Sequence, residues 1–102
     1  MRRVMVRYTV KPDQVATNER LVRDVYEELA GSQPDGFHYA TFKLEDGVSF
    51  VHIATQEGEH NPLSDNAAFG RFQENIRDRC DQPPVATPLE EVGSFRFHGG
   101  AS

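Results

Sequence analysis

Tyr39-Ala-Thr-Phe-Lys-Leu-Glu-Asp-Gly-Val-Ser-Phe-Val-His-Ile-Ala54 consists of two alternating runs joined at Asp46-Gly47. An Asp-Gly pair tolerates the positive φ angles of a two-residue type I′ turn, so the stretch is predicted to fold as a tight β-hairpin. A turn closed there sets Glu45 opposite Val48, Lys43 opposite Phe50, Thr41 opposite His52 and Tyr39 opposite Ala54. Because side chains alternate along a strand, one face then carries Tyr39, Thr41, Phe50 and His52. The other carries Ala40, Phe42, Leu44, Val51 and Ile53. Both faces are largely apolar, and a sheet apolar on both sides has to be covered twice.

Upstream of the hairpin, residues 4–10 alternate as a strand, with Val4, Val6, Tyr8 and Val10 on one face and Met5, Arg7 and Thr9 on the other. Lys11-Pro12-Asp13 breaks it, and Asp13 is placed to cap the amides of a helix behind it. From Val15 the period becomes helical, with Val15, Val22, Val25, Tyr26 and Leu29 on one stripe. Ala30-Gly31 and then Pro34-Asp35-Gly36 are expected to end that helix. The hairpin supplies strands at 37–44 and 48–55.

Downstream, residues 56–62 are polar and without period, as a surface loop is. Ser64 or Asp65 is the expected cap of a second helix with the stripe Phe69, Phe72, Ile76 and Cys80, in which Gly70 costs roughly 1 kcal/mol relative to alanine. Asp81-Gln-Pro-Pro84 is expected to terminate it. Residues 89–97 alternate again and are predicted as the last strand. The domain is placed at 1–98, with 99–102 a flexible tail.

The order βαββαβ, with two right-handed crossovers around a central hairpin, specifies an α+β, ferredoxin-like fold. Its antiparallel four-stranded sheet has the order 4-1-3-2. Valine-rich first and third strands suit the centre. The lysine and glutamate of the second and fourth, and Pro88 at the entrance to the fourth, suit the edges. Both helices then cover one face. A second copy of the chain is the simplest cover for the other, which predicts a homodimer through the sheet face.

At 102 residues with a formal net charge of −5, the chain offers no basic footprint for nucleic acid or anionic lipid, and neither is expected as a partner. No run approaches the roughly 20 apolar residues of a membrane span. The single cysteine, Cys80, has no internal disulfide partner, and the first residues lack the apolar core of a signal peptide. A reducing, cytoplasmic setting is the expectation.

Of the four histidines, none shows metal-ligand spacing, and His60 has only Glu57 and Glu59 near it in sequence, so no metal is expected. His52 falls in the middle of a predicted central strand. It is either a core or interface histidine bonded to a neighbour, or a pocket-lining base that burial keeps neutral near pH 7. Asn18 interrupts the apolar stripe of the first helix and should point inward. Its amide needs partners there, either backbone groups, water or a ligand. Arg7 is expected to pair with Glu90 or Glu91, with anion binding as the other reading.

Phe69, Phe72 and Ile76 fit a core or a pocket wall. Cys80, near a helix C-terminus, is expected to be inert. There is no phosphate-cradling glycine loop, nucleophile elbow or thiol redox pair. Any catalysis would be assembled from scattered side chains in a pocket.

With that order of elements, a doubly apolar sheet and the segment Phe37-His-Tyr-Ala-Thr-Phe-Lys-Leu-Glu-Asp-Gly-Val-Ser-Phe-Val-His-Ile-Ala54, the chain resembles the antibiotic biosynthesis monooxygenase family of dimeric α/β barrels over almost the whole domain. The resemblance implies a homodimer with its sheets face to face and a pocket between each sheet and its own helices. Members include cofactor-independent oxygenases of quinol-like or polyphenolic substrates, in which the deprotonated substrate itself reduces oxygen. Others degrade haem with an asparagine, a tryptophan and a histidine. This chain has no tryptophan, so that set is incomplete and no cofactor is expected.

The implied site has His52 accepting a phenolic proton and Asn18 and Tyr39 orienting the oxygens. Thr41, Phe50, Phe69 and Phe72 would bind the ring and exclude water. The competing reading is a non-catalytic dimeric module binding a small apolar or aromatic ligand, with His52 and Asn18 as satisfied polar groups. A third is a structural subunit whose pocket is fully packed. The face of Tyr39, Thr41, Phe50 and His52 is the better pocket candidate, because the aliphatic face offers a ligand no polar handle.

Overall fold

The hairpin forms in the expected register, with Tyr39 opposite Ala54, Thr41 opposite His52 and Lys43 opposite Phe50. The computed structural model describes residues 1–97, so the tail expected at 99–102 lies outside the described residues. The elements are β1 (Arg2–Val10), α1 (Val15–Ser32), β2 (Phe37–Lys43), β3 (Ser49–Gln56), α2 (Ala67–Gln73), α3 (Ile76–Arg79) and β4 (Cys80–Pro88). They build one antiparallel four-stranded sheet in the order β2-β3-β1-β4, the predicted order. The helices lie on one face, over a core centred on Val10, Val22, Val25, Phe50 and Phe72. Among the described residues no helix is long and apolar enough to cross a membrane.

The turn of the hairpin is wider than a type I′ turn. The Leu44 amide donates to the Ser49 carbonyl at 2.8 Å and the Gly47 amide to the Leu44 carbonyl at 3.0 Å. Of Asp46 and Gly47 only Gly47 has a positive φ, at 78°. Asp46 works instead through its carboxylate, which accepts from the Val48 and Ser49 amides at 3.0 and 2.8 Å and from the Ser49 hydroxyl at 2.6 Å. Those hydrogen bonds, the hydroxyl's first, hold its pKa below the usual carboxylate range. The side-chain chemistry of Asp competed with its backbone tolerance and prevailed.

The helix boundaries also shift. α1 runs through Gly31 and ends at Ser32, where Gln33 takes the left-handed conformation (φ 46°) and its amide returns to the Leu29 carbonyl at 2.9 Å. Asp13 lies in a short 3₁₀ turn and caps nothing. The cap of α2 is neither Ser64 nor Asp65 but Asn66, whose Oδ1 accepts from the Phe69 amide at 2.8 Å. The buried Asn66 also donates through Nδ2 to the Val25 carbonyl at 3.3 Å, tying α2 to α1. Glu28 of α1 completes the joint by accepting from the Ala67 and Ala68 amides at 2.9 and 3.0 Å, a carboxylate where the helix end favours one. After Gln73 the helix stops, and Asn75 turns left-handed (φ 62°) before α3. The stripe from Phe69 to Cys80 is thus two helices and the first residue of a strand.

The largest departure is β4. The segment expected to stop a helix, Asp81 to Pro84, lies inside the strand, while residues 89–97 form no strand. The prolines are tolerated because β4 is an edge strand bonded to β1 alone, and the register slips by one residue between the Arg7–Val85 and Thr9–Gln82 pairs, around Pro83 and Pro84. Past Pro88 one more rung forms, from the Leu89 amide to the Arg3 carbonyl at 2.9 Å. Glu91 then meets Arg3 at 2.9 Å rather than the expected Arg7, whose strand position turns it to the exposed outer face.

Asn66→Ala removes a cap and a buried bond between helices together. Urea unfolding should show a loss of about 1–3 kcal/mol, and Asn66→Asp, which keeps the accepting oxygen, should lose less.

Candidate functional site

The central strands bring β1 and β3 residues side by side, with Val6 opposite His52 and Tyr8 opposite Phe50, and β2 adds Thr41 opposite His52 from the other side. These inward positions, with α1 above them, bury a continuous chain of polar groups. His52 is 4% exposed. Its Nε2 lies 2.8 Å from Tyr8 Oη, and its Nδ1 lies 2.6 Å from Tyr39 Oη and 3.1 Å from Thr41 Oγ1. Thr41 Oγ1 in turn lies 2.7 Å from Tyr26 Oη. On the far side Asn18, fully buried, donates from Nδ2 to Tyr8 Oη at 2.9 Å.

The chain ends on a buried cation. Arg79 donates to Asn18 Oδ1 at 3.4 Å, to the Phe72 carbonyl at 2.6 Å and to the Glu74 carbonyl at 3.0 Å. The guanidinium carbon sits 5.5 Å from the centroid of the Phe72 ring. The carbonyls at the end of α2 carry the partial negative charge of a helix C-terminus, and with the ring face they take the place of a carboxylate. Burial nevertheless draws the Arg79 pKa down.

Beside this chain lies a cavity of about 300 Å³ between sheet and helices, walled by Tyr8, Tyr39, His52, Val6, Phe69 and Phe72. An apolar cavity of about 150 Å³ holds benzene, so the space suits one or two aromatic rings. Burial pushes the His52 pKa down to about 4 and the Tyr26 pKa up to about 12, and it raises those of Tyr8 and Tyr39 as well. Near pH 7 the imidazole and phenols facing the cavity are therefore neutral; the fixed charges near them are Arg2, which lines the cavity, and Arg79, at the end of the hydrogen-bonded chain.

Of the residues proposed from sequence, His52, Tyr39, Phe69 and Phe72 line the cavity. Asn18 stands behind its wall, reaching it through Tyr8. Thr41 and Phe50 face a separate shallow depression next to Tyr26. Three residues of the chain, Tyr8, Tyr26 and Arg79, had no site role assigned from sequence; Tyr26 was read only as part of the apolar stripe of α1. Tyr8 was legible as an inward neighbour of Val6, and the cross-strand register would have set it near His52. Arg79 carried no signal, because its partners are backbone carbonyls and an amide 61 positions away.

Cys80 opens β4, and burial raises its thiol pKa. His60 meets Asp65, at 2.5 Å. Among the described residues no three His, Cys, Asp or Glu side chains are grouped to hold a metal ion.

The depressed His52 pKa has a consequence for stability. Between about pH 6.5 and pH 4 the unfolded chain takes up a proton at this position and the folded chain does not. The stability that the neutral histidine retains above pH 6.5 is lost as the pH falls to 4, by about 3 kcal/mol for the full shift. Urea midpoints measured across that window should fall steeply for the wild type and much less for His52→Gln.

No protein-family model and no curated protein sequence matches the chain. Solved structures do. A structure described as a putative antibiotic biosynthesis monooxygenase from Nitrosomonas europaea superposes with a TM-score of 0.73 at 13% identity, over 91% of this chain and 100% of its own. An antibiotic biosynthesis monooxygenase gives 0.68 at 20% identity, over 91% and 100%. SnoaB, a cofactor-independent oxygenase from Streptomyces nogalater, gives 0.64 at 17% identity, over 91% and 94%. The chain has the α+β ferredoxin-like fold of antibiotic biosynthesis monooxygenase structures, at low sequence identity.

Proposed function

We propose that the protein is a cofactor-independent oxygenase of a small electron-rich phenol or quinol. The observation that carries this reading is a neutral imidazole, hydrogen-bonded on both sides to tyrosine hydroxyls, in the wall of a mostly apolar cavity sized for such a ring. The shared fold with SnoaB supports it. The substrate lies in the cavity against the wall that Tyr8, Tyr39, His52, Phe69 and Phe72 form together, and its hydroxyl proton passes to His52 through a neighbouring hydroxyl. Burial disfavours the imidazolium, but the phenolate formed beside it offsets that cost in a site of low dielectric.

The phenolate gives one electron to dioxygen, producing a substrate radical and superoxide. Their recombination at a ring carbon bearing hydrogen forms a peroxide, which His52 reprotonates. The hydroperoxide O–O bond then breaks as the carbon loses its proton, leaving a quinone carbonyl and water. Phenol plus dioxygen gives quinone plus water, so the electrons balance without a further reductant.

The test is oxygen uptake with a panel of dihydroxy aromatics in the presence of a chelator. We expect one dioxygen consumed per quinone formed, and a fall of about 10²-fold or more in His52→Ala, the usual contribution of a general base. An unchanged rate in that variant would remove His52 from the reaction.

One observation favours a second reading, a binding module without turnover. Both His52 nitrogens and the Asn18 amide already have protein partners. In that case the same panel raises the melting temperature with no oxygen consumed, since a ligand held by the native state alone stabilises it by mass action.

We also infer that a second copy of the chain covers the outer sheet face. Phe42 and Val85 are 54% and 64% exposed there, next to half-buried Met5, Val51 and Ile53. An apolar surface of this kind marks an interface. Sedimentation should show a dimer at micromolar concentration, and Phe42→Asp with Val85→Asp should shift it to a monomer.

A further inference from the structure

The hydrogen-bond chain has a direction, and Arg79 is the group that sets it. A guanidinium only donates, so the Asn18 atom facing it has to be Oδ1. That leaves Nδ2, also only a donor, toward Tyr8 Oη. The Tyr8 hydroxyl has one proton, and its single remaining partner is His52 Nε2. Tyr8 is 2% exposed, and a proton turned away from Nε2 would leave a buried bond unmade, at a cost of about 1–3 kcal/mol. Nε2 therefore accepts, and a neutral imidazole that accepts at Nε2 carries its proton on Nδ1. Nδ1 then donates to Tyr39 Oη and Thr41 Oγ1.

We propose that Arg79 is a positioning residue that acts through Asn18 and Tyr8 to hold His52 as the Nδ1–H tautomer, so that Nε2 is the proton-accepting atom and the Tyr8 hydroxyl is its port to the cavity. Tyr8 lines the cavity, and its oxygen has a second lone pair for a ligand hydroxyl while its own proton passes to Nε2. Tyr39, which receives from Nδ1, faces its surroundings as a donor. The wall thus has two unlike ends, an accepting one at Tyr8 for a ligand O–H and a donating one at Tyr39 for a ligand oxygen. A ring with a hydroxyl and a second oxygen meets both. The tautomer assignment goes beyond the oxygenase reading and rests on none of it.

The test is a long-range ¹H–¹⁵N correlation spectrum of ¹⁵N-histidine-labelled protein at pH 7 without ligand, with the His52 signals identified by their loss in His52→Gln. In the wild type we expect Nδ1 to show the shift of a protonated ring nitrogen and Nε2 that of an unprotonated one. Arg79→Met frees the Asn18 amide to turn over, and the Nε2–H form should appear. Asn18→Asp is the sharper variant, because a carboxylate pairs with Arg79 and can only accept from Tyr8. Tyr8 must then take its other bond from His52, and the pattern should invert to Nε2–H. A wild type protonated at Nε2, or an Asn18→Asp protein that keeps Nδ1–H, overturns the proposal. The measurement needs no substrate, so a protein that consumes no oxygen but shows the inversion separates this assignment from the oxygenase reading.

Discussion

Satisfying a histidine and three tyrosine hydroxyls at the back of a sheet, where little water reaches, is the constraint around which this structure is arranged. Each such group left unpaired would cost about 1–3 kcal/mol against a total stability of only about 5–15 kcal/mol. The ring bodies are placed by packing. Tyr8 stacks on Phe50 with centroids 5.6 Å apart, Tyr26 on Tyr39 at 5.3 Å and Phe69 on Phe72 at 5.8 Å. The hydroxyls of Tyr8 and Tyr39 then converge on His52, which lies on a central strand with neighbours on both sides, and that of Tyr26 reaches it through Thr41.

The same bonds hold the layers together. Asn18 and Tyr26 come from α1, Arg79 from the end of α3, and Tyr8, Tyr39, Thr41 and His52 from three strands. The helices are thus fastened to the sheet by the groups that form the cavity wall, so a substitution in the site is felt by the fold. Arg79 stands at the junction with β4. Its cost of burial is borne by the carbonyls of α2, whose C-terminus is broken open by the left-handed Asn75. A helix continuing from Phe69 to Cys80, as the apolar stripe suggests, would use those carbonyls itself and deprive the cation of its two shortest hydrogen bonds.

The two faces of the sheet solve different problems. The inner face combines aromatic bodies with polar tips and keeps a cavity. The outer face is aliphatic around Met5, Val51 and Ile53, with Phe42 and Val85 standing out of it. At the edge, prolines withhold the donors that another strand would seek, and the slip near Pro83 and Pro84 twists β4 away from straight pairing.

The sequence alone determined the order of elements, the sheet order, the hairpin register and the side of the sheet that faces the helices and the cavity. These rest on hydrophobic period and chain direction, which are local properties of residues such as Tyr39, Phe50 and His52. It misplaced β4 because a proline pair reads locally as a stop, whereas its acceptability depends on having a partner strand on one side only. The inward Asn18 was legible from its place in an apolar stripe, but its partners were not. Tertiary structure alone decided that Tyr8 stands between Asn18 and His52, and that Arg79 enters the core to anchor them. Hydrogen bonds between groups distant in sequence leave no period in the chain, and a buried cation is admitted only by carbonyls that the folded backbone exposes.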